Sequence, residues 1–291
     1  MAEYPPEKAP KPGLNLYAAA VVNPAKLTIM AEELGIPYNV IVVDMADMKS
    51  PWFEPINPNG KVPAIVHVKE DGTSESVFES GACLMYIAHA FDKDHRFHDP
   101  VGTSAYWKQL SWVSLILQKV EFYLTIVQLS WQISGYGPMM GQACHFHRYA
   151  PEPVPYGAWR YGAECRRLHH VLEKQLSTSP FVAGDRPTIA DFAVFIYAHS
   201  AKWCGIDLGE YPHVQRWCEN LKQRPGVQRG LQVPVPYMFS DEGVVSPDNQ
   251  DALRMMRGRF SKVVKESSDQ WKGEVVSLPS DHANYGDEGA V

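Results

Sequence analysis

Residues Asn57–Ala82 read NPNGKVPAIVHVKEDGTSESVFESGA. Within them Val62–Val68 is apolar and β-branched, the composition of a strand, and Ser76–Phe78 returns as a second one. Lys69–Glu75 joins the two, and its Asp71-Gly72 pair marks a hairpin turn. Pro63 stands at the head of the first strand, where it cannot donate to the ladder and keeps Val62 extended. If the Val62–Pro63 bond is cis, the N–H and C=O of Val62 face an incoming peptide. The alternative is an ordinary trans proline at a strand edge, as most X–Pro bonds are. After the hairpin, Ser80–Phe91 carries Leu84, Ile87, Ala88 and Phe91 at helical spacing. Ser80 opens that helix, so its hydroxyl and the free N–H groups form either an anion site or a plain serine cap. Glu79 beside it offers a carboxylate to an ammonium group.

Working outward, Leu14–Val21 (LNLYAAAV) reads as a buried strand with Tyr17 in its core. Asn23 suits an N-cap, Pro24 the first helical position and Gly35 the helix stop. Tyr38–Val43 (YNVIVV) is strand-like, and Asp44–Pro58 is a polar connection. The order β-α-β-β-β-α gives an α/β domain over residues 14–93. Residues 1–13, MAEYPPEKAPKPG, are proline- and charge-rich and read as a disordered lead-in without the apolar core of a secretory signal. From 104 to 235 helical periodicity takes over, with helices expected near Ser104–Ser134, Tyr156–Leu176, Ile189–Ala201 and Pro212–Gln223. Residues 236–291 read as a polar tail holding one helix, Asp248–Trp271. The fold class is therefore α/β plus all-α.

The formal net charge of −6 argues against a nucleic-acid partner, which calls for a basic face. No run of about 18 uncharged apolar residues is present, so no membrane span is expected. The five cysteines are scattered, with no C-x-x-C pair, which fits a reducing, cytoplasmic setting. His145-x-His147 and His169-His170 lack the i, i+4 spacing of a helical metal site, and no metal is expected.

The blocks NPNGKVP (Asn57–Pro63) and FESGA (Phe78–Ala82) resemble the glutathione-binding half of glutathione transferases. Gly135–Leu176 and FVAGDRPTIADFAVF (Phe181–Phe195) agree with the second half, and the nearest likeness is to the bacterial Nu class and its fungal disulfide-reductase-type relatives. The resemblance spans Leu14–Gln232. It implies a thioredoxin-like domain followed by a helical domain, homodimers, and glutathione as co-substrate. It implies a cis Val62–Pro63 bond with Val62 pairing the cysteinyl backbone of glutathione. Ser80 would take the γ-glutamyl carboxylate, Glu79 the ammonium and Lys61 the glycyl carboxylate, while Arg160 matches an arginine of the helical domain that faces the glutathione site. Asn23 matches the asparagine that the class places near the sulfur, although Val21 stands where the class has a threonine; the residues alone also allow Asn23 to be only a helix cap. Tyr106, Tyr136, Tyr156 and Trp159 are candidates for an acceptor pocket or for core packing. Thr188 and Asp191 read as a structural capping box. The implied activity is transfer of glutathione to an electrophilic small molecule. The alternatives are glutathione-dependent disulfide reduction, glutathione-assisted isomerisation, and a non-catalytic glutathione-binding or regulatory relative.

One segment stands out. Leu110-Ser111-Trp112 recurs as Leu129-Ser130-Trp131, and deleting Val113–Trp131 joins Lys108–Trp112 to Gln132–Gly135 as one helix. Val113–Trp131 is an apparent insertion. It reads either as a retained intron, since Val-Ser can be encoded by the splice-donor sequence GTGAGT, or as a lengthened helix.

Overall fold

The computed structural model describes residues 4–114, 131–240 and 258. Four strands form one sheet: β1 (Gly13–Ala18), β2 (Tyr38–Val42), β3 (Ala64–Val68) and β4 (Ser74–Phe78), in the order β2-β1-β3-β4. β1 runs parallel to β2, with Leu14 opposite Tyr38, and antiparallel to β3, with Leu16 opposite Ile65. The parallel pair needs a crossover, which α1 (Ala25–Leu34) supplies; the antiparallel pair β3–β4 needs only the turn at Asp71-Gly72. Side chains alternate across β1. Leu14 and Leu16 face α1 and α2 (Ser80–Phe91), while Tyr17 faces Trp52 and Phe53 on the other side.

Residues 6–13 correct the expectation of a disordered lead-in. Pro6–Lys8 form a 3-10 turn, and Lys8 Nζ donates to Val42 O (2.6 Å) and pairs with Asp47 (3.2 Å). Asn15 is fully buried; its amide donates to Lys11 O (2.7 Å) and Val66 O (3.0 Å) and accepts from Lys11 N (2.8 Å). A polar side chain in the centre of the sheet thus fastens the approach to β1.

The second half is helical: α3 (Ser104–Ser114), a π-helical turn at Trp131–Tyr136, α4 (Gly137–Cys144), another at His145–Tyr149, then α5 (Pro155–Leu176), α6 (Ile189–Ala198), α7 (Pro212–Lys222) and α8 (Pro225–Gly230). Of the apparent insertion, Val113 and Ser114 end α3 and Trp131 opens the π turn; residues 115–130 lie outside the described residues. So does the expected helix Asp248–Trp271, save Gly258. α4 and α8 were not foreseen, since both are short and carry Gly and Pro. Gly is what lets α8 dock on α1: a Cβ at Gly230 would stand 2.6 Å from the Ile29 backbone, and one at Gly226 2.8 Å from Glu33 N. The same contact is closed by Thr28 Oγ1 donating to Gly230 O (2.8 Å) and by Arg224 forked on Glu33 (3.1 and 2.5 Å). Residues 236–240 are not part of a free tail. Phe239 is buried against Trp203, and Tyr237 Oη meets Ser200 Oγ at 2.6 Å.

α6 is the pillar of this half, with nine of its ten residues buried. Its start is the capping box read from the sequence. Asp191 Oδ2 accepts from Thr188 N (2.9 Å), while Thr188 Oγ1 accepts from Ala190 N (3.3 Å). Asp191 also accepts from Val182 N and Trp217 Nε1, each at 2.9 Å, so one carboxylate ties α6 to the preceding loop and to α7. Burial raises its carboxyl above the usual range, and the donors around it pull the other way.

Candidate functional site

Two helix N-termini meet beside the sheet. β1 ends at Ala18, and residues 19–24 lead into α1, whose first turn receives no side-chain cap. Asn23 is not the cap that its identity suggested. Pro24 holds that position with helical dihedrals (φ −58°), and the Asn23 side chain turns to the helical half, where Tyr197 Oη donates to its Oδ1 (3.2 Å). With the amide oxygen occupied, the two amide hydrogens of Asn23 remain as donors. The residue is half-buried, as are Val21 and Val22. Gly35 closes α1 in the left-handed conformation (φ 69°), as expected.

At the start of α2 the cap is Glu79, and Ser80 is the first helical residue, which corrects the reading of Ser80 as a serine cap. Glu79 takes φ 67°, ψ 124°, a backbone state that costs a non-glycine residue of order 1–3 kcal/mol and that clusters at binding sites. No side chain caps this helix, so its first N–H groups have no intrahelical partner. Glu79 is exposed and its Oε1 accepts from Asn59 Nδ2 (3.3 Å). Ser80 is buried, and its Oγ accepts from Lys26 Nζ (3.1 Å).

Val62–Pro63 is cis. The β1–β3 pairing runs from Gly13 opposite Val68 to Tyr17 opposite Ala64, so Val62 lies two residues beyond the ladder, and its N–H and C=O take no backbone partner among the described residues. Its side chain is buried beneath the sheet. Asn57 braces this loop by donating to Lys61 O (2.6 Å).

Lys61 and Arg160 are exposed, and neither side chain hydrogen-bonds to these groups. Arg160 stands near the start of α5, with Glu164 one turn on. The aromatic candidates divide. Tyr106 and Tyr136 are core, the latter stacked on Trp131 at 4.9 Å; Tyr156 and Trp159 are exposed on α5. A shallow cleft opens between Ala19–Val21 with Ala25 on one side and Val233–Phe239 on the other.

Three side chains that sequence reasoning passed over link the two N-termini. Lys26, in the first turn of α1, is 1% exposed. Its Nζ donates to Ser80 Oγ and to Gln132 Oε1 (2.8 Å) and lies 5.2 Å from the centre of the Tyr197 ring. Burial pushes its pKa down to about 7, against a smaller upward pull from Glu79. The signal was available: Ile29 and Met30, three and four residues on, are buried, so Lys26 occupies the apolar face of its helix. Gln132 and Tyr197 offered none, because nothing local marks a core glutamine or tyrosine as facing another domain.

The model of the glutathione S-transferase N-terminal domain matches residues 23–90, and that of the glutathione S-transferase C-terminal domain matches residues 163–225. The disulfide-bond oxidoreductase YfcG of Escherichia coli (strain K12) is 37% identical over 222 residues, covering 75% of this chain and 94% of that protein. The chain belongs to the glutathione S-transferase superfamily. The glutathione S-transferase-like protein tpcF of Aspergillus fumigatus is 32% identical over 231 residues, with coverages of 75% and 94%. Among solved structures, a glutathione transferase homolog from Lodderomyces elongisporus with two GSH per subunit is similar at 34% identity and a TM-score of 0.67, over 77% of this chain and all but 1% of that one (99%). In this transferase-family chain the N-terminal match includes Asn23, Lys26, Lys61, Val62, Glu79 and Ser80, whereas Arg160 falls just before the C-terminal one.

Proposed function

We propose that this chain binds glutathione across the two N-termini and uses its thiolate as a nucleophile on an electrophilic small molecule. The γ-glutamyl carboxylate would sit on Ser80 and the free N–H groups of α2, with Glu79 taking the ammonium. The cysteinyl backbone would pair with the N–H and C=O of Val62, and Lys61 and Arg160 would face the remaining carboxylate. A free thiol titrates near 8.5, so the site must favour the anion. The observation that carries this reading is the Tyr197–Asn23 hydrogen bond, which leaves the Asn23 amide N–H groups, beside the N-terminus of α1, to donate to sulfur. In the transfer step a carbon–sulfur bond forms, the leaving group departs with the bonding pair, and the thiol proton goes to solvent. The cleft between Ala19–Val21 and Val233–Phe239 would take the acceptor. The proposal includes the homodimer and the cytoplasmic setting of the family.

Similarity to a disulfide-bond oxidoreductase favours a second reading on the same site. There the thiolate attacks a disulfide sulfur, a mixed disulfide forms, one thiolate leaves, and a second glutathione completes the exchange to glutathione disulfide. Retention on glutathione-agarose, followed by assays with a chromogenic aryl halide and a mixed disulfide, separates the readings. Retention with aryl-halide turnover is expected. Turnover of the disulfide alone replaces transfer by reduction, and retention with neither turnover supports a non-catalytic relative.

A further inference from the structure

Lys26 is a charged group that touches both halves of the molecule at this site. Its Nζ donates to Ser80 at the start of α2 and to Gln132 in the first π turn, and lies 5.2 Å from the centre of the Tyr197 ring on α6. Tyr197 in turn holds Asn23. The proton arrangement at Ser80 follows from donor and acceptor inventory. A hydroxyl that accepts from an ammonium has its own proton left to give. An ammonium has no lone pair, so that proton cannot return to Lys26 and must point to another acceptor. A neutral amine is different: it has a lone pair, can accept from Ser80, and would turn the hydroxyl oxygen toward the anion site.

We propose that Lys26 is a positioning residue of the glutathione site: as an ammonium it fixes the Ser80 hydroxyl as a donor to the γ-glutamyl carboxylate, and through Gln132 it ties that orientation to the helical domain. This rests on the glutathione reading given above. The group titrates within the working range, since burial brings its pKa to about 7. The ionisable neighbours are few. Glu79 on the approach to α2 favours the charged form, and Tyr197 on α6, itself raised by burial, stays neutral at these pH values. From α1, the described ionisable residues Glu32 and Glu33 turn instead to Arg229 and Arg224. The sign is definite. A carboxylate bound at Ser80 favours the ammonium, so ligand binding raises the pKa of Lys26, and affinity falls as pH rises through the pKa of the free protein.

The test uses S-methylglutathione, which has no titrating thiol, and calorimetric titration of the full chain at pH 6, 7 and 8. Wild type is expected to lose affinity by up to about tenfold from pH 6 to pH 8, the span around a free-state pKa near 7. Lys26→Met is expected to bind about tenfold more weakly at pH 6 and to show no such loss over the same range, which also controls for the ligand amine. Ser80→Ala is expected to flatten the profile in the same way, and the double variant to bind no worse than the weaker single one, because the two act as a unit. Thermal unfolding of each variant checks that it is folded. Wild-type affinity and pH profile in folded Lys26→Met overturn the inference alone. No binding of S-methylglutathione to wild type at any pH overturns the glutathione reading and this inference with it.

Discussion

At the scale of single residues, the site consists of small displacements from what each residue would do locally. Asn23 before Pro24 is the ordinary start of a helix, yet the cap passes to Pro24 and the Asn23 amide turns to Tyr197, 174 positions away. Ser80 looks like a serine cap and is instead the acceptor of a buried ammonium. A hydrogen bond to a charged group is worth about 1.5–3 kcal/mol, and each 1.36 kcal/mol is tenfold in rate. Asn23→Ala is therefore expected to lower turnover by roughly 10- to 100-fold with retention on glutathione-agarose nearly unchanged; steady-state kinetics on the aryl halide checks this. Unchanged turnover would reduce Asn23 to a packing residue. The proposed site residues Asn23, Val62, Glu79 and Ser80 could be singled out from sequence because each sits at a helix start or beside a proline, where local rules mark residues out. Lys26, Gln132 and Tyr197 were not, since their importance arises only when the helical half closes on α1.

At the scale of elements, legibility followed length and punctuation. β3, β4, α2, α5, α6 and α7 were read to within about three residues, since each has clean periodicity or a cap. α4 and α8 were missed, because a short helix rich in Gly and Pro looks like a loop until its neighbour is known. α8 shows why those glycines are there, given that a Cβ at Gly230 would strike the backbone of α1. The capping box of α6 gives a sharp expectation. Thr188→Ala removes one side-chain cap and is expected to cost about 1 kcal/mol. Asp191→Ala strands the donors of Val182, Thr188 and Trp217 and is expected to cost roughly 3 kcal/mol or more; urea denaturation with an unchanged slope measures both. Val113–Trp131 belongs to this scale as well. If the segment is a retained intron, sequencing of spliced message across Lys108–Gly135 will find a dominant transcript without it; a dominant transcript that contains it makes the segment a true lengthening.

At the scale of the whole molecule, two halves share one boundary built from α1, α6 and α8, and the proposed ligand lies along it. The helical half also has a pH limit of its own. His169 is fully buried, gives Nδ1–H to Cys165 O (2.8 Å) and meets Tyr136 Oη at Nε2 (3.0 Å), where the neutral ring accepts the tyrosine proton. Burial, more than any other influence, lowers its pKa to about 4 from an ordinary 6.5. Between those values the unfolded chain binds more protons than the folded one, so stability falls as pH drops from about 6.5 to about 4. His169→Gln, which keeps an acceptor for Tyr136, is expected to shallow that acid limb in denaturation curves taken at pH 7, 5.5 and 4.5. The central claim concerns where glutathione lies, and a crystal structure of the full chain soaked with glutathione measures it most directly. The account predicts the γ-glutamyl carboxylate on Ser80 Oγ and the α2 N–H groups, the cysteinyl backbone paired with Val62, and sulfur within hydrogen-bond reach of Asn23 Nδ2. Glutathione bound with its γ-glutamyl end away from Ser80, or with sulfur facing neither Asn23 nor the start of α1, would contradict it.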